Sequence, residues 1–181
     1  MRVLVYGGGG SGKSAFAERF MLELGEAGRR WYVATMRPDG HEAAERIARH
    51  QAVRSHKGFT TVERYTDLGG LELADASPAL LECVGNLLAN EMFSPGGTAG
   101  DPLETVWRGI EALAGRCGHM LAVSNDVSAD GATYHPETEA YRRNLAEINR
   151  RLAAMCEVVV ETVCGIPVFH KSVPEVKACG R

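Results

Sequence analysis

Short apolar runs alternate along the chain with longer segments in which apolar residues recur every three or four positions. The short runs have the length and composition of buried strands, and the longer segments have the period of amphipathic helices. Strands are predicted at residues 3–6, 31–35, 59–64, 79–83, 119–124 and 158–163, with 166–169 either continuing the last strand or pairing with it. Helices are predicted at residues 14–24, 41–54, 84–92, 103–117 and 136–155, and a Gly- and Pro-rich loop at 94–101.

This alternation predicts an α/β fold, with a mostly parallel sheet covered by helices on both faces. A chain of 181 residues suits one domain with a sizeable core. No linker or internal repeat interrupts the pattern. We therefore expect a single domain over residues 1–171, followed by a frayed tail at 172–181.

Composition and charge exclude several classes of protein. A net charge of −3 offers no basic surface for nucleic acid, and no apolar run approaches the roughly 18 residues of a membrane span. The chain starts directly in a predicted strand, so we expect no signal peptide. The five cysteines form no C-x-x-C pair, which favours reduced thiols in the cytoplasm and disfavours a structural zinc site.

Residues 7–14 read Gly-Gly-Gly-Gly-Ser-Gly-Lys-Ser, which is the phosphate-binding loop pattern G-x-x-x-x-G-K-[ST]. Glycines let the backbone fold around an anion with its N–H groups inward, Lys13 reaches the β- and γ-phosphates, and Ser14 offers a hydroxyl to Mg²⁺. The strand before the loop and the helix after it are the context that this motif requires. The sequence thus predicts a P-loop nucleotide-binding fold that holds a nucleoside triphosphate with Mg²⁺, through Gly7, Gly8, Gly9, Gly10, Ser11, Gly12, Lys13 and Ser14.

Glu82 ends the apolar run at residues 79–83, where nucleotide-binding sheets place residues that face the ligand. A carboxylate there can hold Mg²⁺ or its waters as a Walker B acid does, although aspartate is the commoner choice. The alternative is an exposed acid that binds nothing. Ser14 and Glu82 are the candidate metal ligands, and Lys13 and Glu82 are candidate catalytic residues.

His50 lies late in the predicted helix at 41–54, in a cluster with Arg46, Arg49 and Arg54. Such a cluster suits an anionic ligand and keeps the imidazole neutral. A neutral imidazole is a competent nucleophile toward phosphorus, so His50 is the third catalytic candidate, although a lone histidine is more often a surface or packing residue. Two further histidines compete for this role, His41 and His56.

Together these segments resemble the bifunctional adenosylcobinamide kinase / adenosylcobinamide-phosphate guanylyltransferase family of cobalamin biosynthesis. The resemblance is carried, in family order and over most of the chain, by residues 4–14, 32–35, 46–50 with Arg54, 59–63, 80–83, 124–127 and 148–154. The P-loop is generic, whereas the R-I-x-x-H segment at 46–50 followed by L-L-E-C at 80–83 is far more specific.

The resemblance implies two reactions on a corrinoid substrate. The aminopropanol hydroxyl of adenosylcobinamide is phosphorylated by ATP or GTP, and GMP is then transferred from GTP to that phosphate through a histidine that matches His50. It further implies a homotrimer. Besides the loop, the family positions that bind the guanine nucleotide match Thr35, Arg54, Glu63 and Glu82.

The residues suit this chemistry. Attack by His50 on the α-phosphate would split one displacement into two, and Arg46 and Arg54 would stabilise charge on the phosphates. The segment after Asn125 reads Asp-Val-Ser-Ala-Asp-Gly, where the family usually has E-V-G-x-G-I. An enzyme that only transfers GMP therefore remains open, as do a P-loop GTP-binding regulatory protein and a small-molecule kinase of another pathway.

Overall fold

The computed structural model describes residues 1–24, 28–38, 57–127 and 132–173. The strands in this part are β1 (Arg2–Gly7), β2 (Arg30–Ala34), β3 (Phe59–Glu63), β4 (Ala79–Leu81), β5 (Met120–Asn125), β6 (Val158–Val163) and β7 (Ile166–Lys171). The helices are α1 (Lys13–Leu24), α2 (Val84–Phe93), α3 (Pro102–Arg116) and α4 (Pro136–Met155), with a short 3₁₀ turn at Leu68–Gly70. The predicted helix at 41–54 and most of the predicted tail lie outside the described residues.

The strands form one sheet in the order β3-β2-β4-β5-β1-β6-β7. All neighbouring pairs are parallel except β6 and β7, which form an antiparallel hairpin. The hairpin turn consists of Cys164 and Gly165, whose φ angles of 50° and 82° are those of a type I′ turn. The segment at 166–169 therefore pairs with the strand before it.

Alternate residues along the strands face two separate cores. Val3 and Val5 of β1 pack under α1 with Phe16 and Phe20, whereas Leu4 belongs to the cluster under α2, α3 and α4. Helices thus cover both faces, as predicted. Each large apolar side chain buried in this way stabilises the fold by about 1.5–3 kcal/mol relative to exposure.

Helix boundaries follow from local chemistry. Asp101 accepts hydrogen bonds from the N–H groups of Leu103 (2.9 Å) and Glu104 (3.5 Å), and Pro102 occupies the first turn of α3. The predicted loop at 94–101 is confirmed. Among the described residues, none of the helices combines the length and the apolar character needed to cross a membrane.

Candidate nucleotide-binding site

The candidate binding residues in the described part of the chain lie at the edge where the parallel strands end, here called the carboxyl edge. Glu63 closes β3, Thr35 follows β2, Glu82 follows β4, and the loop at residues 7–14 begins at the end of β1. Three strands separate β3 from β1, so a spacing of about 4.8 Å between neighbours puts Glu63 roughly 19 Å from the loop. The candidates are therefore spread along the edge.

The phosphate-binding loop depends on two glycines for different reasons. A Cβ atom on Gly7 would lie 2.6 Å from the carbonyl oxygen of Thr162, so no side chain fits there. Gly12 has a φ of 91°, which other residues rarely adopt, and a Cβ atom on it would approach Cα of Gly165 at 3.3 Å. The loop leads directly into the first turn of α1, whose unpaired N–H groups and dipole favour an anion.

Lys13 is buried, and its Nζ donates a 2.9 Å hydrogen bond to the carbonyl oxygen of Gly8 in the same loop. Burial lowers the pKa of this lysine, and the nearby Cys83 opposes that shift. The ammonium group thus lies over the loop, where it would meet phosphate oxygens. Ser14, the next residue, is exposed on the first turn of α1.

The β6–β7 hairpin supports the loop from one side. Ser11 Oγ and Thr162 Oγ1 share a 2.8 Å hydrogen bond, and the N–H of Gly165 donates to the carbonyl oxygen of Ser11 at 2.9 Å. These contacts join residues about 150 positions apart in the sequence. Neither Thr162 nor the Cys164-Gly165 pair carries a recognised motif, so the sequence alone does not predict these contacts.

Glu82 ties two strand ends together. Its Oε2 accepts hydrogen bonds from the backbone N–H groups of Thr35 (3.0 Å) and Met36 (3.3 Å), and its Oε1 accepts one from the Tyr32 hydroxyl (3.1 Å). A carboxylate held by backbone N–H groups is a strong, charge-assisted anchor. Glu82 therefore fixes the path of the chain after β2, whatever it also does for a ligand.

Thr35 is fully buried, and both of its donor groups bond within the protein. Its N–H donates to Glu82, and its hydroxyl donates to the carbonyl oxygen of Cys83 at 2.9 Å. Its carbonyl oxygen accepts from Asn90 Nδ2 at 2.9 Å. Its role as a nucleotide ligand stays a prediction.

Cys83 caps the start of α2 and lies close to the loop lysine. Its Sγ accepts a hydrogen bond from the Asn86 N–H at 3.3 Å and contacts Asn125 Nδ2 at 3.7 Å. Burial raises the pKa of this thiol, and the Lys13 charge opposes the shift. Cys83 and Asn125 therefore belong to the centre of the carboxyl edge.

Asp126 follows β5, and its backbone N–H donates a 3.0 Å hydrogen bond to the carbonyl oxygen of Gly7. Two cavities meet at this aspartate, of about 430 Å³ and about 360 Å³. In the sequence, Asp126 is distinguished only as part of the divergent segment after Asn125. Its position beside the loop makes Asp126 a further candidate functional residue.

Glu63 lines a different cavity of about 360 Å³ at the β3 end of the edge. The Tyr65 hydroxyl donates a 2.6 Å hydrogen bond to Glu63 Oε2, and the guanidinium of Arg37 lies 5.8 Å from the centre of the Tyr65 ring. The cavity thus combines a carboxylate, an aromatic ring and a cation, which are suitable groups for a nucleotide base.

The side chains of Ser14 and Glu82 are suitable for holding a Mg²⁺ ion. Protein sites for this ion usually supply only one or two ligands and leave the others to phosphate oxygens and water. Ser14 is exposed beside Lys13 and fits as a direct ligand. Because Glu82 already accepts three protein hydrogen bonds, it fits best through a bridging water.

Two of the candidates, His50 and Arg54, lie outside the described residues, as do Arg46, Arg49, His41 and His56. The segment at 39–56 that carries them begins just after Pro38 and is preceded by Thr35 and Met36 at the carboxyl edge. Their roles rest on the sequence.

Comparison with known proteins shows which family the chain is similar to. A family model described as cobinamide kinase / cobinamide phosphate guanyltransferase matches residues 3–169. The bifunctional adenosylcobalamin biosynthesis protein CobU of Escherichia coli K12 is 34% identical, over 94% of this chain and 100% of that protein. CobU of Salmonella typhimurium is 31% identical over 94% and 100% of the two chains, and CobP of Pseudomonas aeruginosa is 31% identical over 96% and 99%.

The similarity of this chain to solved structures supports its fold and nothing further. The flagellar accessory protein FlaH of Methanocaldococcus jannaschii matches with a TM-score of 0.56 at 10% identity, covering 94% of this chain and 78% of that one. A Pyrococcus horikoshii protein matches with a TM-score of 0.51 at 11% identity, covering 96% and 87%. The predicted α/β fold is thus confirmed.

Proposed function

The chain belongs to the cobinamide kinase / cobinamide phosphate guanyltransferase family. On that premise we propose which of its residues act in each of the two reactions. The protein is a transferase of cobalamin biosynthesis that phosphorylates adenosylcobinamide and transfers GMP from GTP to adenosylcobinamide phosphate. The observation that carries this conclusion is the family match over residues 3–169. The positions of the candidate residues along the carboxyl edge support the roles proposed for them in each reaction.

In the kinase step, residues 7–14 hold the triphosphate of ATP or GTP. The loop amides and the start of α1 bind the β- and γ-phosphates, and Lys13 exchanges its bond to the Gly8 carbonyl for one to a phosphate oxygen. Ser14, with Glu82 through water, would hold Mg²⁺, which supplies charge neutralisation when bound. This arrangement neutralises charge and aligns the groups that react.

We infer that Glu63 recognises guanine. Its carboxylate is an acceptor for the N–H groups that guanine carries at N1 and N2, and adenine lacks this pair of donors. A nucleotide with its phosphates at the loop would extend along the carboxyl edge past Glu82 to bring its base toward β3. Arg37 and Tyr65 lie beside Glu63 to contact the base.

In the guanylyl step, the proposed nucleophile is His50. A ring nitrogen bonds to the α-phosphorus of GTP, the bond to the bridging oxygen breaks, and pyrophosphate leaves. A phosphate oxygen of adenosylcobinamide phosphate then bonds to the same phosphorus, and the N–P bond breaks. Arg54 and its neighbouring arginines stabilise the charge that develops on the phosphate.

We further propose a cytoplasmic homotrimer built from single-domain subunits. An apolar patch on the edge hairpin supports an assembly, since Val163, Ile166 and Val168 are 47%, 65% and 41% exposed. A second copy of the chain would cover this patch. The four described cysteines are free, which agrees with a reducing compartment.

The test of the nucleophile is labelling with GTP that carries ³²P at the α-phosphate. The expected result is a protein-bound label that is lost in acid and stable in base, present in wild type and in His56→Ala but absent in His50→Ala. Equal labelling of His50→Ala and wild type would refute the assignment. Incubating unphosphorylated cobinamide with ATP or GTP then tests the kinase step separately.

A further inference from the structure

Asp126 is held at the point where the phosphate-binding loop begins. Its N–H donates to the carbonyl oxygen of Gly7, so its backbone is fixed against the first residue of the loop. Its strand, β5, lies in the sheet between β1, which leads into the loop, and β4, which leads to Glu82. The aspartate therefore lies between the two groups assigned to the triphosphate and its metal ion.

Asp126 also forms a wall shared by the two cavities on the α4 side of the sheet. The larger has an apolar floor that includes Leu4 and Val159 and a polar rim that includes Tyr6 and Asn149. The smaller is lined by a further group of polar and aromatic side chains, Tyr134, Thr138, Tyr141 and Arg142. Cavities of this size that combine apolar and polar groups suit an organic molecule better than a bare ion.

Three other carboxylates form hydrogen bonds or ion pairs in this region of the described structure. Glu82 accepts three hydrogen bonds around the end of β2. Glu161 pairs with His170 at 2.9 Å, and Glu139 pairs with Arg142 at 3.0 Å. In the described part of the chain, Asp126 is bonded to the loop through its backbone N–H and lines both cavities. Its charge helps to raise the pKa of Tyr6, after burial and Glu161.

We propose that Asp126 is the catalytic base of the kinase step, a role that rests on the proposed function. The acceptor enters from the α4 side, with its hydroxyl directed at the γ-phosphate. The O–H bond breaks and its proton passes to the Asp126 carboxylate, while the hydroxyl oxygen bonds to the γ-phosphorus. The bond from that phosphorus to the β–γ bridging oxygen breaks, and a nucleoside diphosphate leaves.

A base in this position accounts for a difference between the two reactions. The kinase acceptor is a hydroxyl that must lose a proton, whereas the acceptor of GMP is a phosphate that is already ionised. General-base catalysis is typically worth about 100- to 10,000-fold in rate. Asp126 should therefore matter to the first reaction and not to the second.

The experiment compares Asp126→Asn, Asp126→Glu and the control Glu137→Gln, which makes the same acid-to-amide change at an exposed position of α4. Two rates are measured on each protein: phosphorylation of cobinamide, and transfer of GMP from GTP to supplied cobinamide phosphate. For Asp126→Asn we expect kcat of phosphorylation to fall about 100-fold or more, with GMP transfer within about 2-fold of wild type. Asp126→Glu should recover part of the lost rate, and the control should match wild type.

Three results with Asp126→Asn would overturn the assignment. Phosphorylation by Asp126→Asn at the wild-type rate would show that no base is needed there. Recovery of its rate at high Mg²⁺ would make Asp126 a metal ligand. A parallel loss of both reactions would make it a structural residue. If wild type itself phosphorylates nothing, the kinase half of the proposed function fails first, and the base assignment fails with it.

Discussion

The N–H of Gly165 donates a 2.9 Å hydrogen bond to the carbonyl oxygen of Ser11, and so joins the β6–β7 turn to the phosphate-binding loop. Thr162, in the first strand of the same hairpin, adds a second contact, because its hydroxyl and that of Ser11 share a 2.8 Å hydrogen bond. A loop rich in glycine loses much conformational entropy when it becomes ordered. The hairpin reduces that loss by holding the loop before any nucleotide arrives.

Thr162→Val tests this support, since valine keeps the shape of threonine and removes the hydroxyl. Thr162 is buried, and the change leaves Ser11 without this partner. We expect the free energy of unfolding to fall by about 1 kcal/mol and the affinity for GTP to fall several-fold. Urea denaturation and calorimetric titration measure the two effects. Thr60→Val on the exposed side of β3 is the control, and equal GTP affinity in the two variants would contradict the proposed support.

Glu82→Gln tests the anchor between β4 and the end of β2. The amide oxygen can still accept from the N–H groups of Thr35 and Met36, but the acceptor is no longer charged, and the Tyr32 hydroxyl must turn to accept from the NH₂ group. Loss of the charge-assisted bonds should lower the free energy of unfolding by about 1.5–3 kcal/mol. Urea denaturation measures it.

Tyr32→Phe is the matched comparison for Glu82→Gln, because it removes only the hydroxyl that donates to Oε1. We expect a smaller loss of about 1 kcal/mol. If both variants are as stable as wild type, Glu82 is not an anchor and its carboxylate is available mainly to ligands.

Much of this fold follows from local sequence. The helix at Pro136–Met155 and the strand at Val158–Val163 have the predicted bounds, because long periodic segments and β-branched runs determine their own structure. The loop at 7–14 could be predicted since each of its positions has a defined task. The sequence of 166–169 allows either a continued strand or a paired one, and the turn geometry of Cys164 and Gly165 selects the paired one.

Long-range contacts could not be predicted in the same way. The strand order places β5 directly beside β1, and this pairing brings Asp126 next to Gly7. The hydrogen bonds of Glu82 to Thr35 and Met36 likewise join segments 46 or 47 residues apart. A pattern read along the chain identifies such residues by type and does not say which of them meet.

Lys13→Met tests whether the loop lysine contributes to GTP binding and not to the stability of the fold. The lysine is buried and burial lowers its pKa, so the folded state disfavours its charge. Replacing it with an apolar side chain of similar length should leave the free energy of unfolding within about 1 kcal/mol of wild type, while GTP binding and both reactions are lost. Lys171→Met, at an exposed position of β7, is the control. Retained GTP affinity in Lys13→Met would mean that the loop lysine does not contact the phosphates.

Two arginines around Glu147 on α4 should make the stability of the protein depend on pH in the acid range. Arg150 donates two hydrogen bonds of 2.7 Å to the Glu147 carboxylate and Arg151 donates a third of 2.9 Å, and these bonds lower the pKa of Glu147 to about 2. Because the folded pKa lies below the unfolded value near 4.5, the stabilisation is complete above about pH 4.5 and is lost as pH falls toward 2. Glu147→Gln should therefore flatten the fall in the free energy of unfolding between these pH values, measured by urea denaturation at each pH. Glu111→Gln, which alters an exposed acid on α3, should keep the wild-type slope, and equal slopes in wild type and Glu147→Gln would contradict the prediction.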